Sequence, residues 1–414
     1  MTRTTAAHTR VLAPSESVSS PARNTIRMAV HCSGPLAPDI LRRAWKLVGH
    51  EDPGLAGTLR HLDGAYVFEP SQDRAGLVKQ VEEIPDGERL TAHLTLDELD
   101  CVAALEICTV GEDSHIVSLL MRHSLADGKH GLHVLDRLWK LYTELTEGSE
   151  PTVLEPIVSG SLEASLGGRR IPKGTRREPE PGAPAVYRSA PDWDGTRLSG
   201  LEHGRVRLTT GETEQLVRSC KERSMSLHGV VSAAVLLSLS RSRTDLHRFD
   251  LTSVINVRPH MDPPLHPIEG TYILGYSVST VDVTLYSDVD SIAKAVVDNL
   301  RADLQSGAAQ TSSVDNAGLQ NAGAVPTMLS NLGVVPEFSH PENIVFTDFS
   351  AWNEMDLARP GSPDVLAAYG NMLVASTFAG RLGIDLFHGR EMFPDGWSAA
   401  QVRQITEILT SYAS

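Results

Sequence analysis

His123, Asp127 and Gly128 stand in the stretch His123-Ser124-Leu125-Ala126-Asp127-Gly128, an H-x-x-x-D-G spacing. An imidazole whose orientation is fixed can take a proton near neutral pH, so His123 is the candidate general base. Asp127 is the candidate anchor, because a buried carboxylate must find partners. Gly128 closes the turn. The same six residues also fit a plainer reading, a partly buried turn histidine followed by a capping aspartate, since Asp before Gly is common turn chemistry.

The flanking sequence says what must hold this motif. The apolar run Ile116-Val117-Ser118-Leu119-Leu120-Met121 predicts a buried strand. Leu132, Leu135, Leu138, Trp139 and Tyr142 recur at helical spacing and predict an amphipathic helix over 129–146. The histidine is therefore expected at a strand end, in a turn at the mouth of a helix.

The rest of the chain reads as two similar halves. In the first, a strand is expected over 25–32, then a helix after Pro38 with Ile40, Leu41, Ala44, Trp45, Leu47 and Val48 on one face. Asp63-Gly64 predicts a hairpin between 59–62 and 65–68, and 101–110 should pair with 115–121. Residues 148–198 are rich in Pro and Gly and hold Arg169, Arg170, Lys173, Arg176 and Arg177. They read as a solvated connecting segment, with phosphate contact as the other reading. In the second half, a strand near 206–208 precedes a helix capped by Thr209 or Thr210. An apolar helix over 226–239, strands over 249–257 and 272–283, a helix over 292–304 and a mobile loop over 305–325 follow. A hairpin joins 373–378 to 382–387, and a helix over 397–412 closes the chain. Both halves are mixed α+β. Two such halves imply a cleft between them, a usual place for a ligand.

Composition narrows the function. Of 414 residues 41% are hydrophobic, enough for full cores, and 37 Lys and Arg against 52 Asp and Glu give a net charge of −15. Such a chain repels phosphates, so neither nucleic acid nor an anionic membrane surface is an expected partner. Cys32, Cys101, Cys108 and Cys220 show no paired spacing and read as small buried hydrophobes of a reducing compartment. No run of 18 apolar residues and no secretory h-region are present, so a cytoplasmic protein without a membrane span is expected.

The motif, its place and the two-half plan resemble the condensation-domain superfamily of acyltransferases, which includes peptide condensation domains and chloramphenicol acetyltransferase. The chain is most similar to the actinobacterial polyketide-associated acyltransferases. Arg10-Val11-Leu12-Ala13-Pro14-Ser15-Glu16 looks like that group's N-terminal signature, and Gly34-Pro35-Leu36 fits before the first helix. Ile255-Asn256-Val257-Arg258 resembles its strand-end arginine segment, Ser330-Asn331-Leu332-Gly333 its S-N-x-G loop, and Gly380-Arg381-Leu382 its late strand start.

The resemblance implies an α+β fold of two chloramphenicol-acetyltransferase-like subdomains forming a V, with an active-site tunnel at their interface. The expected division is 1–150 for the subdomain carrying the motif, 151–198 for the crossover and 199–414 for the second subdomain. His123 would be the base. Asp127 would be structural, held by an arginine that by position is Arg258. Lys129, His130, Ser330 and Asn331 are candidate substrate-binding residues. Backbone N–H groups around Gly128, or the Ser330 and Asn331 loop, are candidate oxyanion donors. The reaction implied is transfer of an acyl group from a coenzyme A or acyl-carrier-protein thioester to a hydroxyl of a polyketide, glycoside or lipid alcohol. No bound cofactor and no metal are expected, the donor thioester is a co-substrate, an acyl carrier protein is an admissible partner, and the chain is expected to be a monomer. No G-x-S-x-G elbow is present and no cysteine lies beside the motif, so no covalent acyl-enzyme is expected.

One departure from the family pattern stands next to the base. Peptide-forming members usually carry two consecutive histidines, and here the first is Arg122. Other readings stay open: a stand-alone amide-forming enzyme, a non-catalytic scaffold on the same fold, or a metal-dependent hydrolase using His123, Asp127, His130 and His133. Three features have plainer readings. Asp348-Phe349-Ser350 and Trp352 are expected in an exposed turn, Gly275-Tyr276-Ser277 in a strand, and His228 as a satisfied core histidine.

Overall fold

The computed structural model describes residues 8–17, 20, 23–71, 77–82, 96, 100–111, 113–169, 171, 200–242, 247–266, 269–284, 286–315, 327–355 and 371–414. In chain order the strands are β1 (Arg10–Val11), β2 (Thr25–Ser33), β3 (Gly57–Leu62), β4 (Ala65–Pro70), β5 (Val78–Glu82), β6 (Ala103–Gly111), β7 (Ser114–Arg122), β8 (Leu201–Arg207), β9 (Arg248–Asn256), β10 (Leu274–Asp282), β11 (Thr327–Val334), β12 (Val345–Glu354), β13 (Asn371–Phe378) and β14 (Arg381–Gly389). The α-helices are α1 (Pro14–Ser17), α2 (Pro38–Glu51), α3 (Gly128–Thr146), α4 (Leu162–Leu166), α5 (Thr210–Glu222), α6 (Leu227–Ser242), α7 (Val289–Ser306), α8 (Ala308–Asp315) and α9 (Trp397–Ala413).

The chain divides into two compact units. The first holds residues 1–168 together with 265–273 and 335–356. Its main sheet has the order β12-β2-β7-β6-β5, and a small sheet has the order β1-β4-β3. β2 and β7 run antiparallel with Thr25 opposite Arg122, so the strand that ends at the motif is central. The predicted helical face of α3 is the buried one: Leu132, Leu135, Leu138, Trp139 and Tyr142 are all core residues. The Asp63-Gly64 hairpin forms as read, with positive φ at both positions, as a tight primed turn requires.

β12 comes from the later part of the sequence and pairs with β2 along its whole length. The exposed turn expected at Asp348-Phe349-Ser350 and Trp352 is therefore corrected to a strand, in which Phe349, Ser350 and Trp352 are buried. One ionic knot ties these strands. Arg27 on β2 donates to Glu106 on β6 at 2.6 Å and to Glu354 at the end of β12. The guanidinium is fully buried, so both carboxylates are needed to offset its lost hydration.

The second unit holds residues 169–264, 274–334 and 357–414. Its sheet order is β10-β9-β11-β13-β14-β8. β11 runs parallel to both neighbours and the other pairs are antiparallel. α5 begins with a capping box: the Thr209 hydroxyl accepts from the Glu212 N–H, and Glu212 reaches back to Thr209. α6 is buried on nearly all sides, as its apolar run predicts.

The loop expected over 305–325 is corrected for its first part. α7 extends to Ser306, and α8 is a helix docked on β10. Ser312 Oγ accepts from Tyr276 N at 2.7 Å and Ser313 Oγ donates to Leu274 O at 2.5 Å. A Cβ on Gly275 would stand 2.0 Å from Ala309 O, so the close approach of α8 requires glycine there. Residues 316–325 lie outside the described residues, as do Arg170, Lys173, Arg176 and Arg177 of the connecting segment. Arg169 donates to Pro263 O. Cys32, Cys101, Cys108 and Cys220 are buried, as read.

Candidate active site

β7 delivers His123 into a tight turn, as its sequence predicts. His123 N donates to Asn24 O at 2.9 Å, which continues the strand pairing one residue past β7. Its ring makes a second bond: Nδ1 lies 3.0 Å from Ala126 O. A carbonyl can only accept, so Nδ1 carries the proton and Nε2 is the bare nitrogen of the neutral ring. Burial pushes the imidazole below its ordinary pKa of 6.5, against smaller opposing pulls from the Ala126 bond and the Asp127 charge. A buried, neutral imidazole with a fixed tautomer is ready to accept a proton through Nε2.

Asp127 is the N-cap of α3. Its Oδ1 accepts from Lys129 N at 3.0 Å and His130 N at 3.1 Å, and its Oδ2 accepts from Ile273 N at 2.9 Å. The carboxylate is fully buried, and backbone N–H groups at the positive end of a helix hold it. These bonds support the structural role read for it. They also engage the Lys129 and His130 N–H groups that stood among the candidate oxyanion donors. Gly128 is the first residue of α3.

The Ile273 bond joins positions 146 residues apart, and no spacing rule could have found it. The same segment brings Tyr272 against the base. The two ring centroids are 5.0 Å apart with planes inclined at 54°, and Tyr272 is 1% exposed.

The other candidates in this unit are placed as follows. Lys129 is half-buried, and burial lowers its ammonium pKa against the pull of Asp127. His130 is buried, with Nε2 on Asp52 Oδ2 at 2.5 Å. His133 stands edge-on to His266, and burial together with neighbouring His130, His266 and Arg137 takes it down to about 4. Among the described residues no three His, Cys, Asp or Glu side chains form a group able to hold a metal ion. Arg122 reaches back along β2, donating to Arg23 O at 2.9 Å and Thr25 Oγ1 at 3.4 Å. That gives the residue preceding the base a role in closing the sheet.

In the second unit, Arg258 is buried, and its N and Nη1 donate to Asn256 Oδ1. Ser330 and Asn331 lie in the middle of β11. Asn331 Oδ1 accepts from Gly333 N at 2.8 Å, across a register shift where Gly333 has a φ of 70°. The S-N-x-G string thus builds a bulge, with asparagine bracing it and glycine supplying the left-handed residue. His228 bonds Ser253 Oγ at 3.1 Å, the satisfied histidine expected.

No helix among the described residues is long and apolar enough to cross a membrane.

Residues 199–387 match a family model described as "Phthiocerol/phthiodiolone dimycocerosyl transferase C-terminus". The chain is 26% identical over 355 residues to a phthiocerol/phthiodiolone dimycocerosyl transferase of Mycobacterium ulcerans, covering 82% of this chain and 84% of that one. Among solved structures it is similar to polyketide synthase associated protein 5 from Mycobacterium tuberculosis, with a TM-score of 0.78, 23% identity and 98% of each chain covered. It is also similar to the first condensation domain of the calcium-dependent antibiotic synthetase, with a TM-score of 0.68, 14% identity, and 99% of this chain and 97% of that one covered. The chain is thus similar in sequence to named phthiocerol/phthiodiolone dimycocerosyl transferases and carries the mixed α/β fold of polyketide synthase associated protein 5 and of condensation domains, the fold that the sequence led us to expect.

Proposed function

We propose that this chain, a homologue of named acyltransferases, moves an acyl group from a thioester to the hydroxyl of a lipid alcohol or related metabolite, with His123 as general base. The observation that carries this reading is the bond from His123 Nδ1 to Ala126 O, which leaves Nε2 to act. Burial, which favours the neutral ring at physiological pH, supports it.

In the proposed step Nε2 takes the hydroxyl proton while the oxygen attacks the thioester carbonyl. The C–O bond forms, the tetrahedral intermediate collapses, the C–S bond breaks, and the imidazolium returns the proton to the departing thiolate. A positioned base contributes roughly 10²- to 10⁴-fold to such a step, and alignment of the two substrates contributes more. Asp127 holds the start of α3, and Arg258 is proposed as its further partner. Lys129, Ser330 and Asn331 are proposed to contact substrate. Coenzyme A and an acyl carrier protein both fit as the source of the thioester. Both donors are anionic, coenzyme A through its phosphates and a carrier protein through its acidic side chains, so either needs a local basic patch on this chain of net charge −15. The proposed enzyme acts as a monomer.

The test is turnover. Purified protein is given acyl-coenzyme A donors of several chain lengths with a long-chain alcohol, thiol release is followed, and the product is weighed by mass spectrometry. Acceptor-dependent thiol release with ester formation is expected. Thiol release indifferent to the alcohol would point to hydrolysis, and binding without release would point to a scaffold.

A further inference from the structure

We propose that Tyr272 is a positioning residue for His123, and that Arg10, Glu16 and Thr271 hold it in place. The inference rests on the reading of His123 as base and gives the Arg10–Glu16 stretch a part in supporting the site.

Glu16 is fully buried, yet its carboxylate is saturated with donors. Arg10 approaches through both terminal nitrogens at 2.6 Å, Ala13 N donates at 2.9 Å and Thr271 Oγ1 donates at 2.6 Å. A buried carboxylate is tolerated only when paired and hydrogen-bonded in this way. Thr271 is gripped a second time, its N–H donating to Gly160 O at 2.9 Å. That acceptor is itself anchored. Ser161 caps α4, and Glu163 on α4 accepts from both the N–H and the hydroxyl of Ser15, the neighbour of Glu16.

Thr271 is therefore fixed by one buried carboxylate, Glu16, and Ile273 by another, Asp127. Tyr272 lies between them and cannot shift along the chain. Its ring stands 5.0 Å from the imidazole. The single bond to Ala126 O fixes which nitrogen carries the proton but leaves the ring free to tilt about that bond. The Tyr272 face limits that tilt and keeps water from that side. Asp127 is the charged group that acts on the imidazole. A base displaced by about 1 Å can lose about 10²-fold in rate, so support of this kind reaches the chemistry without touching substrate.

The experiment combines kinetics with a direct view of the imidazole. Histidine-labelled protein is titrated by NMR, with the His123 signal assigned through His123→Gln. Tyr272→Leu keeps apolar bulk and removes the aromatic face. We expect it to lower kcat at least about tenfold with KM nearly unchanged, and to move the His123 titration upward toward the ordinary imidazole value as water enters. Tyr272→Phe keeps the ring and should retain most of kcat. Thr271→Val deletes one hydroxyl and should shift both readouts in the direction of Tyr272→Leu, and it serves if the leucine variant fails to fold. A His123 titration unmoved in the folded variants would overturn the proposal whatever happens to kcat. A moved titration with unchanged kcat would uphold the contact and tell instead against His123 as the base.

Discussion

His130 Nε2 donates to Asp52 Oδ2 at 2.5 Å, and this bond joins the end of α2 to the start of α3. The other oxygen of Asp52 accepts from Gly54 N, and His130 N is itself held by Asp127. The motif helix is thus clamped by two aspartates within its first turn. Replacing His130 with alanine strands a partly buried carboxylate, and an unmade hydrogen bond of this kind costs about 1–3 kcal/mol. Urea unfolding of His130→Ala should show that loss. A KM unchanged in the folded variant is expected from this geometry, whereas a direct substrate contact at His130 would raise it.

His133 and His228 are both held neutral by burial, each with a pKa of about 4. In the unfolded chain they titrate near 6.5, so the unfolded state binds protons first as pH falls. Their contribution to stability is complete above pH 6.5 and is lost progressively between about 6.5 and 4. His228→Gln can keep the bond to Ser253 while removing the titration. At pH 5 its unfolding should take up about one proton fewer than that of the parent, read as a shallower fall of stability with pH. An identical slope would contradict the assignment.

Arg27 serves two carboxylates at once, and Glu354 lies above its usual pKa range because burial outweighs the pull of Arg27. Arg27→Met removes the cation and leaves both acids among apolar neighbours. Breaking a buried ion pair from one side costs about 3–5 kcal/mol, and we expect a destabilisation of that order by denaturant unfolding. Replacing all three charges with apolar residues of similar volume should recover much of it. A mild effect in the single variant would mean that the knot contributes little.

Gly275→Ala places a methyl group against the Ala309 carbonyl. Backbone cannot yield as a side-chain end does, so α8 should lift from β10 at about 1–3 kcal/mol of strain. Hydrogen exchange of the amides of α8 should accelerate in the variant, along with that of Tyr276 N. Unchanged protection of these amides would argue against the close approach.

The residues that were legible in the sequence share one property, that their signals are local. Asp63-Gly64 and Ala379-Gly380 announce hairpins because primed turns need those φ values. Thr209 and Glu212 announce a helix start, and His123 to Gly128 announce a strand, turn and helix. β12 was missed because Asp348, Asn353 and Glu354 interrupt its apolar run and its partner β2 lies at the far end of the chain. α8 was missed because its small and polar residues show no helical stripe. The contacts of Tyr272, Ile273 and Asp52 with the motif are long-range, and one sequence carries no trace of such pairs. The family resemblance supplied a role for Asp127, and the backbone N–H groups that hold it became visible only in three dimensions.

The central claim is that one imidazole removes the acceptor's proton. The most direct test is the rate of thioester-dependent ester formation by His123→Ala, in protein shown by circular dichroism and thermal unfolding to be native. We expect kcat/KM to fall by about 10²- to 10⁴-fold, while the acid limb of the parent enzyme's rate should lie below the ordinary imidazole value of 6.5 because burial lowers the pKa of His123. A folded His123→Ala protein that forms ester at nearly the parent rate would contradict the claim.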